Sequence, residues 1–211
     1  MVKKFSKPFV TFGAIFLMLW DVSLFFVQGQ LSFEQLFSTV FTNFVPVKFL
    51  LGITMLLYIN EHNNLKLWAS ITEVVSSVMA AIRIFALILQ IVLIAKGMGE
   101  TGTAEYFEIA YFTGGILLLF ATTFFMEFLK GRKFKKTVLV FSLSAVILFL
   151  AYHVADFVFA VEAFKLSGLS GVGEFIANCF TGEFIMSVLG IIAYLAVFTI
   201  PTGVFEKAEK N

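Results

Sequence analysis

Cysteine occurs once in the 211 residues, as Cys179, histidine twice and proline three times. A single cysteine excludes an internal disulfide and any cysteine-rich metal centre. Three prolines and 15 scattered glycines exclude collagen-like and disordered chains. Charge is scarce as well. Only 14% of residues are charged, against about 25% in ordinary soluble domains. A net charge of +1 leaves no global field to draw nucleic acid. Hydrocarbon takes the room instead: 60% of residues are hydrophobic, and Phe alone occurs 29 times. One soluble core could not hide that much apolar surface, whereas lipid is itself as apolar as these side chains. The composition is that of an all-α integral membrane protein whose first partner is the lipid bilayer.

A helical span needs about 20 mostly apolar residues. Six runs meet or approach that length, at about 9–27, 46–60, 74–95, 106–129, 137–160 and 183–205. They define a single polytopic domain, 1–211, built as a bundle of about six transmembrane helices. Lys3, Lys4 and Lys7 before the first run imitate a signal peptide. Asp21 interrupts the end of such a region, and Phe25, Phe26 and Val27 carry the apolar run past it, so the segment is read as the first span. The segment 32–45 opens with a capping box, Ser32 and Gln35, and repeats Phe33, Leu36, Phe37, Val40, Phe41 and Phe44 at helical spacing. It reads equally as an outer interfacial helix and as the start of a kinked second span.

Lysine and arginine set the orientation. With the N-terminus inside, Lys3, Lys4, Lys7, Lys66, Lys130, Arg132, Lys133, Lys135, Lys136, Lys207 and Lys210 fall on inner segments, and only Lys48, Lys96 and Lys165 fall outside. Both ends are therefore expected on the cytoplasmic side of a cell membrane. The dense Lys130–Lys136 loop is a natural seat for a cytoplasmic partner, and the small-residue pairs Ser76/Ala80, Ser77/Ala81 and Ala151/Ala155 are natural helix contacts, within the chain or with another membrane subunit.

Ionisable residues inside spans are costly, so each requires a reason. Asp21, Arg83, His153 and Asp156 are the four concerned, with Gln90 as a neutral companion. At about 1.5 Å rise per residue, Asp21, Gln90, His153 and Asp156 come out in one layer near the outer side, with Arg83 near mid-membrane. Ser76, Arg83 and Gln90 are seven apart and share a stripe. His153 and Asp156 are three apart on one face. Arg83 is expected to pair with Asp21 or Asp156. These five residues form the candidate substrate or ion site, and an internal salt-bridge network that fixes helix packing would present the same pattern. No metal centre is expected, since His153 and Asp156 offer two ligands and only Asp21 or Glu183 stands near as a third.

Two motifs are discarded. Gly97-Met98-Gly99-Glu100-Thr101-Gly102 matches a dinucleotide fingerprint in letters, but an apolar helix precedes it where a strand is needed. Gly168-Leu169-Ser170-Gly171 looks like the serine motif of rhomboid proteases, but in that family the histidine follows the serine, and here His153 precedes it. His62 and His153 fall on opposite sides and cannot clamp one haem. No catalytic set and no cofactor motif emerges, so an enzyme is disfavoured. The expectation is a membrane transport protein, or the embedded subunit of one, that moves or recognises a small polar or ionic solute. The alternative is a non-transporting scaffold of a larger complex.

Overall fold

The computed structural model describes residues 7–27, 45–96, 103–167 and 182–203, and gives side-chain surroundings for most of them. The possible interfacial helix 32–45, except for its last residue Val45, and the serine motif near Ser170 lie outside the described residues. Within them the chain is all-helical. The six helices are α1 (Lys7–Val27), α2 (Val45–Ile59), α3 (Leu65–Ala95), α4 (Thr103–Leu129), α5 (Lys135–Ser167) and α6 (Gly182–Thr202). Three stretches, Leu65–Ala95, Ile109–Leu129 and Lys135–Val154, are long and apolar enough to cross a membrane. Shorter apolar stretches are described in the other three helices, at Lys7–Trp20, Pro46–Ile59 and Val188–Thr199.

α3 is longer than its apolar run. Its 31 residues reach about 46 Å, past the ~30 Å thickness of a hydrocarbon core. The added turns at its start carry Lys66 and Glu73, residues suited to water and headgroups. The turns before and after the middle helices are tight. α2 closes with His62 N–H bonded to the Leu57 carbonyl at 3.0 Å, and Glu61 takes the left-handed conformation at φ 52°. α4 closes in the same way, with Arg132 N–H on the Glu127 carbonyl at 3.1 Å and Gly131 at φ 97°. This pattern satisfies the last carbonyls of a helix and turns the chain sharply back.

Each helix packs on its neighbour in sequence, and α6 closes the ring against α1. Contacts between helices run antiparallel: Thr54 meets Thr72 at 2.9 Å and Ser76 meets Thr123 at 2.9 Å. Such hydroxyl pairs between membrane helices contribute about 0.6 kcal/mol each. Close approach depends on small residues. Gly13 faces the backbone of Ala193, Gly52 faces Ala14 and Met18, and Gly190 carries the Trp20 ring. Of the small pairs read from the sequence, Ser76 and Ala80 are buried, while Ser77, Ala81 and Ala151 are exposed.

One end of the bundle holds the α4–α5 turn with Lys130, Arg132, Lys133, Lys135 and Lys136; it is called the basic end below. The half nearest that end is filled with hydrocarbon. Val10, Leu17, Leu51, Met55, Phe125, Met126, Val197 and Phe198 are buried there in one cluster drawn from several helices. Phenylalanine does much of the filling: Phe125 stands edge-on to Phe198 at 5.3 Å, and Phe124 stacks on Phe141 at 5.5 Å. The opposite faces are apolar and open. On α5, Val140, Leu143, Ile147, Leu150 and Val154 form a stripe at alternating three- and four-residue spacing, with Ile147 63% exposed. On α3, Leu67, Ile71, Val74, Val78, Ala81, Phe85 and Ile88 do the same. Contiguous apolar surface of this extent does not face water in soluble monomers.

Gly190 provides the test of this packing. A methyl group there would meet the Trp20 ring at 1.7 Å, and a rigid ring cannot yield as a flexible chain end does. Gly190→Ala is expected to cost about 1–3 kcal/mol, read as a lower unfolding temperature in detergent, with Trp20→Ala in the same chain recovering part of the loss.

Candidate functional site

Arg83 is the deepest charge described in the bundle. It is 3% exposed, on the buried stripe of α3 that also carries Ala69, Thr72, Ser76, Met79 and Ala80. Its guanidinium lies over the Phe112 ring of α4 at 4.7 Å. A cation against an aromatic face is stabilised by the ring quadrupole, by up to about 2 kcal/mol when water is excluded. Tyr111, the next residue, is close enough to interact electrostatically with Arg83. Tyr111 in turn packs on Tyr152 at 4.9 Å and Phe149 at 5.4 Å, and Tyr152 stands edge-on to His153 at 5.4 Å. At about 1.5 Å per residue, Arg83 and His153 each stand about 27 Å along their helices from the basic end, and Tyr111 stands the same distance back from Leu129. One layer across α3, α4 and α5 thus joins them.

A series of contacts through Tyr111 and Tyr152 runs from Arg83 to His153, at one level, whereas the spans read from the sequence put Arg83 nearer mid-membrane and His153 nearer the outer side. Gln90 lies two turns farther along the same face of α3 and is half-buried. The side chains of Asp21 and Asp156 lie outside the described ones, and with them the pairing of Arg83 to either carboxylate. Among the described residues no group of three metal-ligating side chains gathers. His62 sits apart in the turn between α2 and α3, where its Nδ1 accepts the Asn64 N–H at 3.2 Å.

Sequence reasoning missed Tyr111 and Phe112. Both read as ordinary apolar residues of the fourth span, and only the antiparallel register of α3 and α4 sets them against Arg83. It also assigned Lys48 to an outer segment. Lys48 is instead buried in α2, with its Nζ over the Trp20 ring at 4.5 Å. Lys48 stands in the first turns of the run read at 46–60, where Pro46 is tolerated because it needs no helical N–H partner.

A second polar cluster closes the basic end. Lys130 engages Glu73 of α3 and Glu127 of α4, and Arg132 engages Glu127 from the other side. Glu127 is 6% exposed, whereas its partner Arg132 keeps 68% of its side chain exposed, so it is the Glu127 carboxylate that is shielded. Burial works against the Lys130 ammonium, but the hydrogen bonds and charges of Glu127 and Glu73 outweigh it and raise its pKa above the ordinary lysine value. The sequence showed a basic loop; the structure shows that part of its charge is neutralised internally. Lys135, although exposed, also donates to the Gly203 carbonyl at 3.2 Å.

A raised lysine pKa stabilises the fold fully below the ordinary lysine value, and that contribution is lost as pH climbs through the raised one. Thermal unfolding in detergent at alkaline pH is expected to show the loss in the wild type and a smaller pH dependence in Glu73→Gln. Glu127→Gln is expected to cost about 1–3 kcal/mol at neutral pH, between the values for exposed and buried ion pairs. An unchanged unfolding temperature in Glu127→Gln would remove the cluster from the forces that hold α3 and α4 together. Comparison of the chain with family models, with curated proteins and with solved structures finds no match, so the reading of both clusters rests on their geometry.

Proposed function

We propose that the chain is a six-span membrane protein, with both termini and the basic end on the cytoplasmic side, that acts as a transport protein or as the embedded subunit of one. The Arg83–His153 layer is then where a small polar or ionic solute is recognised. The observation that carries this reading is the enclosure of Arg83 inside a long apolar span. A charge at such depth is expensive, and membrane proteins retain such charges mainly where function needs them. His153 adds an imidazole, the side chain most often used to carry a proton, to the same layer, which suits proton-linked movement. The hydrocarbon-packed half beneath favours a carrier or a binding subunit over an open pore, because a route to the basic end requires those helices to shift.

The scaffold reading keeps a specific observation in its favour. Arg83 is closed over by Phe112, and the far half of α3 is exposed on several faces, at Phe85, Ile88, Leu89, Val92 and Leu93. A second membrane subunit could cover that surface, and purification from the native membrane with its neighbours would reveal one.

Orientation is tested by labelling. An impermeant thiol reagent applied from outside is expected to reach Cys179 and not a cysteine placed at Arg132 in a Cys179→Ser chain. Labelling at position 132 alone would invert the arrangement.

The transport reading is tested in liposomes loaded with a pH-sensitive dye, under an imposed pH gradient. Proton movement is expected in the wild type and at least a tenfold loss in His153→Ala and Asp156→Asn, the range for removing one proton-transferring group. Absence of flux in the wild type, or equal flux in all three, would end the proton-linked reading and favour the scaffold.

A further inference from the structure

The α4–α5 turn does more than close the bundle. Beside it lies a cavity of about 490 Å³ lined by Phe128, Gly131, Arg132, Lys133, Lys135 and Lys136. Four of the six lining residues are cationic and none is anionic. The cavity sits where two span-length stretches, Ile109–Leu129 and Lys135–Val154, end and begin. That level is the boundary between hydrocarbon and water, where lipid headgroups lie.

The four cations divide into two kinds. Arg132 is held by Glu127, and Lys135 is held by the Gly203 carbonyl. Both side chains nonetheless remain exposed, Arg132 by 68%. Lys133 and Lys136 are exposed, and neither is engaged by a carboxylate among the described residues. Helix α5 begins at Lys135 with no acidic residue in its first turn. The positive end of its dipole therefore adds to the lysines, where an acidic residue would ordinarily offset it. The lysines and the helix end thus meet around a recess whose lining surface is largely apolar and includes Phe128.

We propose that this cavity holds the phosphate headgroup of an anionic phospholipid from the surrounding leaflet. The phosphodiester would lie between Lys133 and Lys136, with Arg132 and Lys135 beside it, and the glycerol and first methylenes would lie on Phe128. Basic pockets between membrane helices are a recognised seat for such headgroups, and juxtamembrane lysines attract anionic leaflets individually. The inference is independent of what the Arg83 layer does: it requires only that α4 and α5 cross the membrane.

The test uses the full chain reconstituted in phosphatidylcholine alone or mixed with phosphatidylglycerol. It is then extracted, and the bound lipid is read by native mass spectrometry. The wild type is expected to retain phosphatidylglycerol over phosphatidylcholine, and Lys133→Gln/Lys136→Gln to retain on the order of tenfold less. Lys133→Arg/Lys136→Arg, which keeps the charge, is expected to retain it as the wild type does. Added salt should weaken retention of phosphatidylglycerol in the wild type, which guards against a variant that fails to fold. Equal retention of the two lipids, or equal retention in the glutamine variant, overturns the proposal. Displacement of phosphatidylglycerol by inorganic phosphate at comparable concentration assigns the cavity to a soluble anion and overturns the lipid. Loss of a co-purifying acidic protein in the glutamine variant, with lipid retention unchanged, overturns it in favour of a protein partner.

Discussion

Polar groups on a helix inside lipid find no water to bond, so they must be met within the bundle. The arrangement of the chain follows from that constraint. Thr54 and Thr72, and Ser76 and Thr123, turn toward each other between helices. Many of the buried hydroxyls also bond back to the carbonyl four residues earlier, as Thr122 does to Leu118. Outward faces carry Val, Leu, Ile and Phe with no such need. A soluble protein places its apolar stripe inside and its charges outside; here the stripe of α5 from Val140 to Val154 faces out and Arg83 faces in.

The two halves of the bundle meet the constraint differently. Near the basic end, aromatic and aliphatic side chains fill the centre, and the charges sit at the rim in the Glu73–Lys130–Glu127–Arg132 network. Farther in, cations are placed over rings: Arg83 over Phe112 and Lys48 over Trp20. Aromatic faces suit this task because they are apolar toward their packing neighbours and electron-rich toward a cation. The abundance of phenylalanine thus serves packing in one half and contributes to charge stabilisation in the other.

Much of this was legible from hydropathy and spacing. The helical runs follow from long stretches without charge, and the Ser76–Arg83–Gln90 stripe follows from a seven-residue period, with Ser76 and Arg83 buried and Gln90 half-buried. What could not be read was pairing across helices. Glu73 and Lys130 are 57 positions apart, and no local pattern announces their contact. Tyr111 and Phe112 look like any aromatic residues in a span until the register of α3 against α4 is fixed. Lys48 lies within the run read at 46–60, but no local pattern shows that Trp20 of another helix takes up its charge. Periodicity reports which face of a helix is polar; it does not report which neighbour that face meets.

The claim beneath the whole account is that lipid surrounds this bundle and that α3 presents Arg83 away from it. Nitroxide scanning of α3 in liposomes measures this directly, one cysteine at a time from Leu67 to Leu93 in a Cys179→Ser chain. Accessibility to dissolved oxygen, which partitions into lipid, is expected to peak at Val74, Val78, Phe85 and Ile88, and to fall at Ser76, Arg83 and Gln90 with a helical period of about 3.6 residues. A water-soluble nickel reagent should reach none of the first set. Oxygen maxima at Ser76, Arg83 and Gln90, or nickel access along the Val74–Ile88 face, would contradict the account.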